Sequence, residues 1–245
     1  MLGDNADRYS PEEFADILKV NTPLFIVGGQ AVNLWALYYR NKTFDLAPFV
    51  SRDIDVLGNK ATLLEIAGLL EAEPHFFPMR PPTNEVGYIV LNNQAGRPIP
   101  IEVLSHVHGV KNEELQTPSY SMTIGDSTTT VQVPGPVVLL KAKIANTADI
   151  SQTGRQDKRH VQILMRLLPA YLTDVYSSVK KFTIKDRDFL NLLEKLIKIM
   201  TSDKGKKVLS KLNIDPITVF NELTPEAGTK IHSFITKRLP KIKNW

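Results

Sequence analysis

Asp53 and Asp55, one residue apart in SRDIDVL, and Glu102 in IPIEVL are the residues whose types and spacing best suit metal chemistry. Both stretches are rich in Ile and Val and read as strands, over Arg52–Leu57 and Pro98–Leu104. Alternation along a strand puts Asp53 and Asp55 on one face, with Ile54 and Val56 on the other. Glu102 likewise opposes Ile99, Ile101 and Val103, so a second strand laid beside the first adds a third carboxylate. Oxygen donors of this kind suit Mg²⁺, with Mn²⁺ as the alternative ion, and three of them can support an in-line displacement at phosphorus.

A second feature lies upstream. PLFIVGGQAVNLWALYYR reads as a short strand, Leu24–Val27, a Gly28-Gly29 turn, and a helix over Gln30–Arg40. Backbone N–H groups at such a turn, backed by the positive end of a helix, bind anions and let a phosphate approach closely. Ser51 and Arg52 either position a phosphate or end the loop before the aspartates. Trp35, Tyr38 and Tyr39 either stack a base or pack in the core. His106 and His108 share a face if their strand runs that far, but without cysteine or an evident third ligand they read as surface or packing residues rather than a zinc site.

Other elements must hold these residues in place. Ser10, Pro11 and Glu13 form a Ser-x-x-Glu start signal before Phe14, Ile17 and Leu18, and Asn21-Thr22-Pro23 ends that helix. Asn59 caps a helix running to about Glu71, and Val86–Asn92 reads as a strand before the turn Asn92–Gly96. Tyr120–Ile124 and Thr129–Val133 flank Gly125-Asp126-Ser127 as a hairpin. Beyond Pro134-Gly135-Pro136 the pattern turns helical, with segments over Val137–Asn146, Lys158–Leu168 and Asp186–Met200, and helix starts at Asp215-Pro216 and Thr224-Pro225. The expectation is an α+β fold: a small mixed-sheet domain over 1–134, then a helical domain over 135–245.

Composition narrows the function classes. The chain has 245 residues and no cysteine, which excludes disulfides, thiolate metal sites and thiol nucleophiles. The polar, acidic start and the lack of a long apolar run lead us to expect a cytoplasmic protein without a signal peptide or membrane partner. Residues 170–245 carry 15 of the 30 Lys and Arg but 8 of the 26 Asp and Glu, so the C-terminal part is basic. That suits either a solvated helical surface or an RNA-binding face. Full dinucleotide, Walker and kinase signatures are absent.

The order strand, Gly28-Gly29, helix, then Asp53-x-Asp55, then a carboxylate on a later strand, resembles the nucleotidyltransferase superfamily that includes DNA polymerase beta. Within it, FIVGGQAVNLWA, SRDIDVL, and VVLLKAKIA followed by Arg155-Gln156-Asp157-Lys158 are most similar to the AbiEii/MenA-type toxin-like enzymes, over about Leu24 to Leu168. The resemblance implies that Gly28 and Gly29 hold a nucleoside triphosphate. It implies that Asp53 and Asp55 bind Mg²⁺, and that Glu102 adds a ligand or a base. It also implies that Lys141 contacts phosphates, with Asp157 near the site. Lys143 is the alternative to Lys141, because the two project about 200° apart on an ideal helix and cannot both face the site.

The implied reaction moves a nucleoside monophosphate from a triphosphate to an acceptor hydroxyl. In the toxin-like setting the acceptor is RNA, tRNA above all, or a protein, and a cognate antitoxin is an implied partner. A resistance-type enzyme acting on a small hydroxylated molecule such as an aminoglycoside is the alternative, as is a non-catalytic nucleotide-binding module.

Overall fold

The first strand expected from the sequence, Leu24–Val27, sits at the join of the architecture without forming a ladder of its own. In the computed structural model, which describes residues 8–15, 17–18, 24–78, 83–93, 96–124 and 129–242, this segment stitches two sheets together. Val27 N–H donates to the Asp55 carbonyl at 2.8 Å and Leu57 N–H to the Phe25 carbonyl at 2.9 Å. On the other side Ile26 N–H donates to Gln132 and Gln132 N–H to Leu24, each at 2.8 Å. Only Phe25 and Ile26 form bridges, so the expected strand is reduced to two paired residues.

The elements follow in chain order: α1 (Pro11–Ala15), α2 (Gly28–Tyr38), α3 (Arg40–Thr43), β1 (Ile54–Leu57), α4 (Lys60–Leu69), β2 (His75–Phe76), β3 (Glu85–Asn92), β4 (Pro98–Leu104), α5 (Asn112–Gln116), β5 (Ser119–Thr123) and β6 (Thr130–Pro134). Helices then dominate: α6 (Pro136–Asp149), α7 (Asp157–Lys180), α8 (Asp186–Thr201), α9 (Asp203–Lys211) and α10 (Lys230–Ser233). The main sheet has order β1-β4-β3-β2; β1 and β4 are parallel and the remaining pairs antiparallel. β5 and β6 form an antiparallel hairpin. The fold is α+β, with a small mixed sheet and a helical C-terminal region.

Local chemistry explains several boundaries. The Ser10 hydroxyl accepts from Glu13 N–H while the Glu13 carboxylate accepts from Ser10 N–H, the reciprocal box expected at the start of α1. Asn59 and Thr62 make the same arrangement at α4. α8 buries Phe189, Leu193, Leu196, Ile197 and Met200 on one stripe, and Ser202 caps α9 through Gly205 N–H. Thr224-Pro225 starts no helix. Asp215-Pro216 opens only a short 3₁₀ turn, and the next α-helix begins at Lys230 under a Thr229 cap. The expected turns at Asn21–Pro23 and Gly125–Ser127, and the middle of Asn92–Gly96, lie outside the described residues.

The main apolar cluster draws on residues from Tyr9 to Leu239, on both sides of residue 134, and a smaller one joins Val27, Leu57, Leu104, Leu115, Val138 and Ala142. Trp35 ties α2 to the hairpin: its indole N–H donates to the Pro134 carbonyl at 2.8 Å and its ring stacks on Tyr39. Among the described residues no helix is long and apolar enough to cross a membrane.

Candidate metal centre

The parallel pairing of β1 and β4 sets Asp55 in register with Glu102. Asp53 lies just ahead of β1, where the backbone is no longer in the ladder. Its side chain still reaches the other two, so that one carboxylate oxygen from each of Asp53, Asp55 and Glu102 lies within 4.8 Å of the others. Ser51, buried at the end of the preceding loop, donates its hydroxyl to Asp53 Oδ1 at 3.3 Å and so orients that carboxylate rather than standing free. The triad lies in a cleft of about 770 Å³ whose walls come from both the sheet and the helices.

The electrostatics of the three acids fit a cation. Among the described residues no Lys, Arg or His forms an ion pair with any of them. Burial, then the neighbouring Asp53 charge, pushes Asp55 up to about 8, with Glu102 adding to the effect. Burial and the Asp53 charge raise Glu102 to about 7, and burial likewise raises Asp53. When both are charged, two carboxylates 4.8 Å apart repel at about 3.5 kcal/mol at an effective dielectric constant of 20. A divalent ion between them removes that repulsion, and an all-oxygen donor set suits Mg²⁺ or Mn²⁺.

Gly28 and Gly29 occupy the first two positions of α2 and border the triad. Gly28 has φ +65°, and a Cβ there would fall 1.7 Å from Asp55 Oδ2, so only glycine permits this approach. A Cβ on Gly29 would meet the Ser51 hydroxyl at 2.9 Å and His160 Cε1 at 3.1 Å. The first turn of α2 therefore lies directly against the acids and the wall of the cleft.

The helical wall corrects one expectation. Lys141 does not line the cleft: its ammonium pairs with Glu114 at 2.6 Å, and Lys195 joins the same carboxylate at 3.2 Å. The opposite face of α6 turns inward, so Lys143 lines the cleft with 5% exposure and donates to Asp157 Oδ1 at 2.9 Å. Asp157 is near the triad, as expected, but its carboxylate is fully engaged. It accepts from Lys143, from Asn146 at 3.3 Å, and from Arg155 Nε at 2.7 Å. Burial alone would raise it, yet the Lys143 charge and the Arg155 hydrogen bond hold it well below the usual carboxylate range. An acid so committed holds the two cations in place.

Arg52 is exposed on the lip, with its guanidinium beside Gly154. His106 and His108 line the cleft as exposed residues, the first paired with Ser105 and the second with Asp149 at 2.8 Å, and among the described residues neither joins a metal cluster. Trp35, Tyr38 and Tyr39 do not line the cleft; Trp35 and Tyr39 are core. Arg155 entered the sequence reading only as part of the segment Arg155–Lys158, with no role of its own, and His160 was not singled out. The available signal for His160 was helical spacing, since it lies three residues beyond Asp157 and shares its face of α7. A comparison with protein-family models and with curated proteins finds no match to this sequence.

Proposed function

We propose that this protein is a metal-dependent nucleotidyltransferase of the DNA polymerase beta-like kind, with Asp53, Asp55 and Glu102 as the metal ligands. The observation that carries the reading is the convergence of the three carboxylates within 4.8 Å beside the Gly28-Gly29 start of α2. Mg²⁺ held there would neutralise charge developing at the α-phosphorus. The triphosphate lies along the α2 N-terminus, where unpaired N–H groups and the positive helix end receive its oxygens. Lys143, held by Asp157, and Arg155 supply fixed positive charge on the facing wall.

Glu102 is the most open of the three acids and stands toward the β3 side of the cleft, which leaves it free to take the proton of an acceptor hydroxyl. That oxygen forms a bond to the α-phosphorus as the bond to pyrophosphate breaks, and pyrophosphate leaves with the electron pair. The basic C-terminal region suits an RNA acceptor, and the family resemblance implies tRNA in a toxin–antitoxin-like setting; a protein is the other acceptor in that setting.

The test is incubation of wild type and Asp53→Ala with labelled nucleoside triphosphates, Mg²⁺ and total RNA or cell extract. Label is expected in RNA or protein with wild type and to be lost with the variant. Label in small molecules would move the acceptor to the resistance class. No metal-dependent transfer to any acceptor would retire the proposal.

A further inference from the structure

Among the described residues His160 is the one side chain with two buried polar atoms that have no hydrogen-bond partner, and it lines the cleft. It is 5% exposed, and both ring nitrogens are buried with no partner. Buried polar atoms are ordinarily paired, and leaving one unpaired is unfavourable. The ring edge faces the first turn of α2, because Cε1, the carbon between the two nitrogens, lies 3.1 Å from where a Gly29 Cβ would stand. The glycine is what lets the imidazole come so close.

The same turn has donors to spare. Val27 caps α2 without a side-chain acceptor, and the N–H groups of Gly28, Gly29 and Gln30 have no acceptor among the described residues. Lys143 and Arg155 add positive charge nearby. Burial, then the Lys143 charge, keeps the imidazole neutral, so it offers one N–H donor and one lone pair. A helix N-terminus with free N–H groups, facing a buried imidazole with an unused N–H, is complementary to an anionic oxygen.

We propose that His160 contacts a phosphoryl oxygen of the bound nucleotide, closing the anion cradle at the start of α2. The identity of the anion rests on the nucleotidyl-transfer reading; the cradle itself does not. Gly29 then serves two purposes, admitting the phosphate and admitting the imidazole.

Inorganic tripolyphosphate, titrated calorimetrically without metal, tests the proposal on wild type, His160→Phe and His160→Gln. Wild type is expected to bind. The Phe variant, which fills the ring's space without its nitrogens, is expected to melt at or above wild type yet bind about tenfold or more weaker, as loss of a hydrogen bond to a charged oxygen dictates. Gln restores a donor and part of the affinity. In wild type the ¹⁵N resonances of the His160 ring are expected to shift on adding tripolyphosphate, a readout that needs no variant to fold.

Equal affinity in the Phe variant with unmoved ring resonances would overturn the proposal, as would a wild type that binds no tripolyphosphate. Transfer activity in a protein whose His160 ignores tripolyphosphate would retire this inference alone. Tripolyphosphate binding through His160 without any transfer would retire the nucleotidyl-transfer reading alone.

Discussion

Replacing Asp55 by Asn is expected to make the metal-free protein more stable at alkaline pH. The Asp55 carboxyl, ordinarily near 3.8, sits at about 8 in the fold, so the native state holds this proton more tightly than the unfolded chain does. A proton bound more tightly by the native state stabilises it below pH 3.8, and that stabilisation is lost as pH rises through about 8. At about 1.4 kcal/mol per tenfold in proton affinity, the displacement from 3.8 to about 8 corresponds to at most about 6 kcal/mol. The cleft is open to water, and screening brings the expected gain from Asp55→Asn to about 2–3 kcal/mol at pH 8.5. For a chain of this size that is roughly 5–10 °C in melting temperature.

The assay is thermal unfolding by circular dichroism at pH 8.5, with EDTA or with Mg²⁺. Wild type is expected to melt below Asp55→Asn in EDTA and to gain stability with Mg²⁺, by mass action on the folded state. Asp55→Asn is expected to respond weakly to Mg²⁺. A variant that melts at or below wild type in EDTA, or equal gains from Mg²⁺ in both proteins, would show that the acids are not a repelling, cation-seeking cluster.

Three further outcomes follow from the same geometry. Mg²⁺ binding competes with protons on Glu102, at about 7, and Asp55, at about 8, so affinity is expected to rise from pH 6 to pH 8.5 with net proton release. Calorimetry in buffers of different ionisation enthalpy reads both, and pH-independent binding would refute it. Gly28→Ala puts a Cβ 1.7 Å from Asp55 Oδ2 at φ +65°, so it is expected to cost roughly 2 kcal/mol or more in urea unfolding and to abolish the Mg²⁺ response. Lys143→Ala strips a buried acid of one partner and is expected to destabilise by about 3–5 kcal/mol, whereas Lys141→Ala, in a pair partly open to water, is expected to cost about 1 kcal/mol or less and leave nucleotide binding intact. Equal behaviour of the two lysine variants would reverse the assignment of the α6 faces.

The legible parts of the chain were those governed by local rules. Caps at Ser10 and Asn59, the strand Pro98–Leu104, and the acid pair with Gly28-Gly29 all depend on side chains a few residues apart, and each is found where those rules put it. The pairing of Asp55 with Glu102 is different in kind. Two strands almost fifty residues apart must adopt one register, which alternation permits but does not dictate. The choice between Lys141 and Lys143 was undecided for the same reason: an α6 stripe this apolar shows two usable faces, and only packing against α7 selects one. Thr224-Pro225 carried a sound start signal, but Gly228 at φ +83° turns the chain before the buried Ile231 and Phe234, and the helix starts instead at Lys230 under the Thr229 cap.

Sequence also conceals which features work against the fold. Three carboxylates without a cationic partner among the described residues, a glycine at φ +65° pressed against one of them, and an imidazole with two unpartnered buried nitrogens each lower stability, and all belong to one cleft. The neighbouring ion networks are complementary: Glu114, outside the cleft, and Asp157, on its helical wall, each meet two cations. Unfavourable terms gathered at one place mark a candidate binding site. A divalent cation relieves the acids and an anionic oxygen relieves both the imidazole and the α2 N–H groups. The two ligands have opposite charge and adjacent positions, and a metal-bound polyphosphate supplies both at once.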